Sequence, residues 1–230
     1  MFRNRFLRSL DSSEHAAVIP SLREVVLGAG QVLCEAGELP ESVYFPSSAV
    51  VSVVTLLRDG RAFEVSSIGF EGVANLFPAM TGIPPASRTY VQIPGAAFRM
   101  PVEAVRGLLE TRLSMMKKVL AYLQINSGQS ERTIACNAVH PLSGRLARWL
   151  LISHDRVDVP IMSLTQDYMC VMAGALRSSI SLTAGAFKRE GLITYNRGRV
   201  EILDRPGLER RACECYRSDQ AEMGRLFTLI

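Results

Sequence analysis

The sequence predicts an α+β protein in three parts: a β-rich barrel, a long helix, and a C-terminal winged helix-turn-helix. Three observations predict it. The first hundred residues break into short β-branched runs separated by glycine turns. After Pro101 that texture gives way to helical periodicity as far as about Asn137. Between Ser163 and Leu203, two short helical patterns are followed at once by a hairpin pattern.

In chain order, Phe2–Leu10 and Ser13–Leu22 read as short helices, with Ser12 or Ser13 as a cap ahead of Glu14. Strand-like runs follow at Val25–Leu27, Gln31–Cys34, Val43–Phe45, Val50–Leu56, Phe63–Ile68, Arg88–Ile93 and Ala97–Met100. Regular short strands with glycine turns indicate a β-sandwich or barrel, and Asp59-Gly60 is the clearest hairpin signal among them.

In the long helical stretch Leu113, Leu120, Ser127 and Ile134 fall seven apart, as do Met116, Leu123, Ser130 and Asn137. Interleaved, they make a seam that is apolar first and polar at Ser127 and Ser130. Such a stripe is either intramolecular core or a dimer interface carried by Leu113, Met116, Leu120, Leu123 and Ile134. Its serines set register or face a ligand. His140-Pro141 breaks the helix. Ser143–His154 is again amphipathic, with Leu146, Trp149 and Leu150 on one side and Arg145, Arg148 and Arg156 around it. From Pro206 onward, Gly207–Tyr216 reads as a short helix and the last dozen residues as a loosely packed tail.

The helix pair carries the functional reading. Thr165 suits an N-cap, Asp167 suits the positive end of a helix, and Gly174 takes a left-handed turn cheaply. A second helix from about Leu176 to Glu190 closes at Gly191. Its Leu176, Ile180, Thr183, Ala184 and Phe187 form a buried side; Ser178, Leu182, Gly185 and Arg189 face outward, flanked by Arg177, Ser181 and Lys188. Two strand runs, Leu192–Tyr195 and Arg199–Leu203, then flank Asn196-Arg197-Gly198 as a basic-tipped wing. This outline reads DNA. Thr165 and Gln166 are expected at a phosphate, Arg177, Ser178, Ser179, Ser181 and Leu182 toward bases, and Lys188, Arg197 and Arg199 on the backbone.

Composition permits this without requiring it. The net charge is +4, with 48% hydrophobic and 21% charged residues, as in ordinary globular proteins. From His140 to Arg205 nine cations oppose six acids, Asp158 among them. The five cysteines, Cys34, Cys136, Cys170, Cys213 and Cys215, are scattered and odd in number, which argues against a disulfide framework. Cys213-Glu214-Cys215 has no second pair or histidine near it in sequence, so no metal is expected. No apolar run is long enough for a membrane span, and the first ten residues are no signal peptide, so a cytoplasmic protein is expected. His15, His140 and His154 have no nucleophile or metal partner at useful spacing, so no catalytic residues and no enzyme activity are expected.

The order of parts and several local words resemble the Crp/Fnr superfamily of transcription regulators, nearest a proteobacterial branch. The words are Cys136-Asn-Ala-Val-His140, Arg145-Leu-Ala-Arg-Trp-Leu-Leu151, His154-Asp-Arg156, Leu164-Thr-Gln-Asp167, Leu182-Thr-Ala-Gly-Ala186, Glu190-Gly-Leu-Ile193, Leu203-Asp-Arg-Pro-Gly-Leu208 and Ala212-Cys-Glu-Cys-Tyr216. Tyr44-Phe-Pro46, Val51-Ser52 and Gly69-Phe-Glu-Gly72 match by layout. The resemblance implies a cyclic-nucleotide-binding-like jelly-roll sensor over 1–110, a dimerisation helix over 111–137, a winged helix-turn-helix over 138–205 and a C-terminal helix and tail over 206–230. It implies a homodimer on a partly palindromic operator, with the Arg177–Lys188 helix in the major groove and RNA polymerase as a partner for an activator. A ligand-binding module acting through protein contacts is the alternative.

The sequence departs from the family where ligands bind. Glu71-Gly72-Val73 has valine where a ribose-binding glutamate would follow glycine, and only Arg88-Thr89 stand for the later phosphate contacts. Cyclic AMP is therefore not expected. The clustered N-terminal cysteines of iron–sulfur members are absent. An effector pocket is assigned to Glu71, Gly72, Arg88, Thr89, Ser127 and Ser130, with no cofactor expected and cyclic di-GMP as a candidate effector. Arg177 matches a family arginine, whereas Ser178 and Leu182 replace the glutamate and second arginine of the cyclic-AMP receptor, predicting a different operator.

Overall fold

The computed structural model describes residues 2–157 and 159–229; Met1, Asp158 and Ile230, including the Asp158 counted in the charge balance, lie outside it. The chain starts with α1 (Arg5–Arg8) and α2 (Ser12–Val18), shorter than predicted. Asp11, not either serine, caps α2: it accepts from Glu14 N while the Glu14 carboxylate accepts from Asp11 N, a reciprocal capping box. Asn4 is fully buried and donates to Pro46 O and Gly72 O, fastening this segment to the β domain.

The β domain is two antiparallel sheets rather than one closed barrel. β1 (Arg23–Leu27), β3 (Ser42–Pro46) and β7 (Gly95–Pro101) make one, ordered β1-β7-β3. β2 (Val32–Cys34), β4 (Val50–Leu56), β5 (Ala62–Ile68) and β6 (Arg88–Ile93) make the other, ordered β2-β6-β4-β5. β4 and β5 meet through the predicted Asp59-Gly60 hairpin, where Gly60 has φ +85°. A core of Leu27, Leu33, Ala49, Val51, Ile68, Ala74, Val91 and Ala97 fills the domain. A helix that sequence reading missed, α3 (Leu76–Thr81), sits between β5 and β6.

The long helical stretch is two helices. α4 (Val102–Thr111) and α5 (Leu113–Val139) meet at Arg112, whose φ −132° and ψ 94° are extended. Periodicity carries no mark of this break, because neither proline nor glycine makes it. The seam also divides. Leu113 (70% exposed), Leu120 (55%) and Ile134 (68%) line up on open surface, with Ser127 also exposed. Leu123, expected at a dimer interface, is instead buried in the chain's own core with Val119 and Tyr122, and Met116 packs against that core. Helical spacing cannot distinguish these two faces, since both are apolar.

His140, with ψ 142°, ends α5 as predicted, and α6 (Leu142–Arg156) follows Pro141. β8 (Ile161–Ser163), α7 (Gln166–Ala173), α8 (Arg177–Arg189), β9 (Ile193–Asn196) and β10 (Arg199–Ile202) complete the winged unit, with sheet order β8-β10-β9. β8 was not anticipated. The cations placed around α6 are not all at the surface. Arg148 and Arg156 are buried, paired with Asp219 and Glu71 respectively, so neither adds to a DNA-facing field. After α9 (Arg205–Arg211) the expected loose tail is a helix, α10 (Cys215–Leu229). It packs on α5, buries Asp219, and places Phe227 under the Arg5 guanidinium at 4.3 Å.

Candidate nucleic-acid interface

Thr165 caps α7, its hydroxyl accepting from Tyr168 N, and Gly174 ends it at φ +57°. α8 buries Ile180, Ala184 and Phe187 as expected. Leu176 does not join them: it is the N-cap residue, 75% exposed, because the turn carries it off the buried stripe. Ser178, Ser181, Leu182, Lys188 and Arg189 are exposed and Ser179 is half-buried. The outer face of α8 is thus open to solvent among the described residues.

Side chains knit the two helices together at that face. Arg177 Nε donates to Gln166 Oε1 (3.0 Å), Arg177 Nη1 to Asp167 Oδ1 (3.2 Å), and Gln166 Nε2 to Ser181 Oγ (3.0 Å). Both members of the Arg177–Asp167 pair are largely exposed, so it orients the guanidinium more than it stabilises the fold. The wing turn is Arg197-Gly198, with φ +47° and +76°, the type I′ pattern for a two-residue hairpin. Leu164 N donates to Gly198 O (2.7 Å), and a Cβ on Gly198 would touch Thr165. The wing tip therefore lies against the start of α7. Thr165, Gln166, Arg177, Ser181 and the wing tip form one contiguous surface, with exposed Arg197 and Arg199 on the wing.

The predicted effector residues do not gather. A cavity of about 210 Å³ opens between β5, α3, β6 and α5, lined chiefly by apolar groups with Asn75, Ser87, Thr89 and Asn126. Of the six residues assigned to it, only Thr89 lines it, donating to Asn75 Oδ1 (2.7 Å). Glu71 turns away to Arg156 (2.7 Å), which also donates to Ser67 Oγ. Gly72 is a site of close approach: a Cβ there would lie 2.4 Å from Tyr122 Oη, whose hydroxyl accepts from Val73 N. Arg88 is taken by Glu35 in a two-pronged pair, both bonds 2.7 Å. Ser127 bonds exposed Glu131, and Ser130 bonds Asn126 O. Tyr122 and Asn126, which do line the cavity, are one turn apart on a neighbouring face of α5, off the seam that carries the serines.

Residues 144–211 match the Crp-like helix-turn-helix domain, and the fold is that of Crp/Fnr regulators: FixK2 from Bradyrhizobium japonicum superposes with TM-score 0.71 at 16% identity, over 84% of this chain and 98% of FixK2. The chain carries a Crp-like helix-turn-helix domain on a Crp/Fnr-like fold. Transcriptional regulator LdrP of Thermus thermophilus is 26% identical over 194 residues, 76% of this chain and 90% of LdrP. SdrP of the same organism is 25% identical over 104 residues, so the match spans only 52% of SdrP and 43% of this chain.

The helix-turn-helix unit is docked on the β domain. Tyr168 of α7 stacks on Tyr90 of β6 with centroids 5.9 Å apart, and Gly174 abuts Phe63 of β5. Beneath lies Glu64, fully buried, accepting from Ser52 Oγ through one oxygen while the other has no partner among the described residues. Burial pushes its carboxyl up to about 8, against the pull of Ser52 and Arg156. A carboxyl raised on folding costs nothing while both states hold the proton. The cost grows from about pH 4.5 as the unfolded chain ionises, and is complete above about pH 8. Glu64→Gln should therefore match wild type in urea denaturation near pH 4 and exceed it above pH 8 by up to roughly 5 kcal/mol. Equal stability differences at both pH values would contradict this.

The fold also overturns the isolation of the C-x-C pair. Cys136 and His140 at the end of α5 come beside Cys213 and Cys215, which are 77 and 75 positions away from them respectively. The local spacing could not show this, since the approach depends on how α9 and α10 return to α5. The other histidines have fold partners: His15 meets Leu7 O and His154 meets Arg205. Among the described residues no single helix is long and apolar enough to cross a membrane.

Proposed function

We propose that the chain acts as a homodimeric, sequence-specific transcription regulator in the cytoplasm, binding a partly palindromic operator through α8. The observation that carries this is the contiguous surface of exposed Thr165, Arg177, Ser181 and Arg197 around half-buried Gln166. The exposed row Leu113, Leu120 and Ile134, spaced by seven and then fourteen residues, supports a parallel partner helix. A twofold dimer sets two half-sites about 34 Å apart. On each, α8 enters the major groove with Ser178, Ser179 and Leu182 toward bases, and Lys188, Arg197 and Arg199 toward phosphates. As an activator it would also touch RNA polymerase.

The cavity between the β domain and α5 is the proposed effector site. Among the described residues no cation lines it, and Arg88 is held by Glu35, which supports a small neutral effector over cyclic di-GMP or another phosphodiester. The test of the whole reading is an electrophoretic shift with the DNA upstream of the protein's own gene. Wild type should shift it as two chains per duplex, and Arg177→Ala should weaken binding at least about tenfold. No shift, or Arg177→Ala equal to wild type, would refute it.

A further inference from the structure

Cys136 and His140 project from the last turn of α5, and Cys213 and Cys215 flank the turn between α9 and α10. The ligand atoms of all four lie within 4.8 Å of one another. Cys136 Sγ is 3.5 Å from Cys213 Sγ, and Cys215 Sγ is 3.7 Å from His140 Nδ1. A tetrahedral zinc with Zn–S near 2.3 Å and Zn–N near 2.0 Å separates its ligand atoms by roughly 3.5–3.8 Å. Two of the six donor–donor separations thus already match the edges of such a tetrahedron, and the others lie within 4.8 Å. We propose that Cys136, His140, Cys213 and Cys215 form a Cys3His zinc site that locks the end of α5 to the α9–α10 turn.

Two further features fit a closed structural site. His140 Nε2 lies 3.0 Å from Glu214 Oε1, so a carboxylate fixes the ring and leaves Nδ1 for the metal, the usual support of a zinc-bound histidine. Arg148 is buried, interacts electrostatically with all three thiols, and has one nitrogen, Nη1, with no hydrogen-bond partner among the described residues. Binding releases three thiol protons to solvent, and the imidazole coordinates as the neutral ring. No electron is transferred. Three thiolates on one Zn²⁺ leave the site at −1, which the Arg148 charge offsets. A two-iron cluster would need its ligand pairs on opposite sides of the cluster, farther apart than these four atoms are. A Cys136–Cys213 disulfide would use two of the donors and leave His140 and Cys215 without a role.

The test uses the full chain, purified without a polyhistidine tag under reductant, with zinc measured by elemental analysis and cobalt(II) titrated into the stripped protein. The expected result is about one zinc per chain and the visible spectrum of tetrahedral thiolate cobalt. Cys213→Ser/Cys215→Ser should lose the zinc, and His140→Asn should weaken its affinity tenfold or more. Cys34→Ser/Cys170→Ser should retain it. Circular dichroism checks that the variants fold; where one does not, the wild-type cobalt spectrum decides. The proposal is overturned if reduced wild type binds no zinc, if the cobalt site is octahedral, or if the ligand variants keep full metal. It is equally overturned by a metal-free protein whose mass is lighter by two hydrogens, the mark of the disulfide.

Discussion

Asp219→Ala should unfold about 3–5 kcal/mol more easily than wild type, lowering Tm by on the order of 10 °C. Asp219 is 3% exposed on α10. Its Oδ2 accepts from Arg148 Nε (2.9 Å) and Nη2 (2.7 Å), and its Oδ1 from Arg132 Nη1 (2.6 Å). One carboxylate thus holds α10 to α5 and α6. Removing it leaves the Arg148 guanidinium buried with Thr133 Oγ1 as its remaining hydrogen-bond acceptor. The loss comes from that stranded charge more than from the pair's own attraction. Arg148→Met/Asp219→Leu, which removes both charges at once, should therefore recover most of the stability. Denaturant titration of the three proteins checks this; a double variant as unstable as Asp219→Ala would show that packing, not charge, is responsible.

Lys188→Ala/Arg197→Asn/Arg199→Ala should flatten the salt dependence of DNA binding while leaving stability near wild type. All three side chains are exposed and none forms an ion pair among the described residues. Asparagine is chosen at 197 because that residue sits at positive φ, which asparagine tolerates. If each side chain meets one phosphate per half-site, a dimer loses six contacts. The slope of log K against log[salt] should then become shallower by about 5, with affinity at moderate salt falling on the order of a thousandfold. Fluorescence anisotropy on one operator duplex across a salt series measures both. An unchanged slope would place the phosphate contacts elsewhere.

Local chemistry made much of this fold legible. The Thr165 cap, the Gly174 stop, the Arg197-Gly198 turn and the His140-Pro141 break each depend on a residue whose backbone preference is written in its side chain. α3 was not legible because it is six residues long, contains Pro78, and begins at Asn75 in a left-handed conformation with no capping bond. The Arg112 break has no breaker residue. Leu123 and Leu120 look alike in a helical repeat, and only the neighbouring β domain decides which is covered. The effector residues failed for a related reason. Arg88 and Glu71 are charged groups whose partners, Glu35 and Arg156, are distant in sequence, and pairing removed both from the cavity. The cysteine–histidine cluster is invisible to spacing rules because it joins the end of α5 to the α9–α10 turn, 77 residues away between Cys136 and Cys213.

Thr89 and Tyr90 are consecutive on β6, so their side chains leave opposite faces of the strand. Thr89 lines the cavity, and Tyr90 carries the ring on which α7 rests. The cavity and the helix-turn-helix unit therefore share one strand as a common wall. Any occupant that favours one position of that strand over another is in thermodynamic linkage with the operator. The factor by which the occupant changes operator affinity must equal the factor by which the operator changes affinity for the occupant. An occupant indifferent to that position would leave the operator untouched, however tightly it bound.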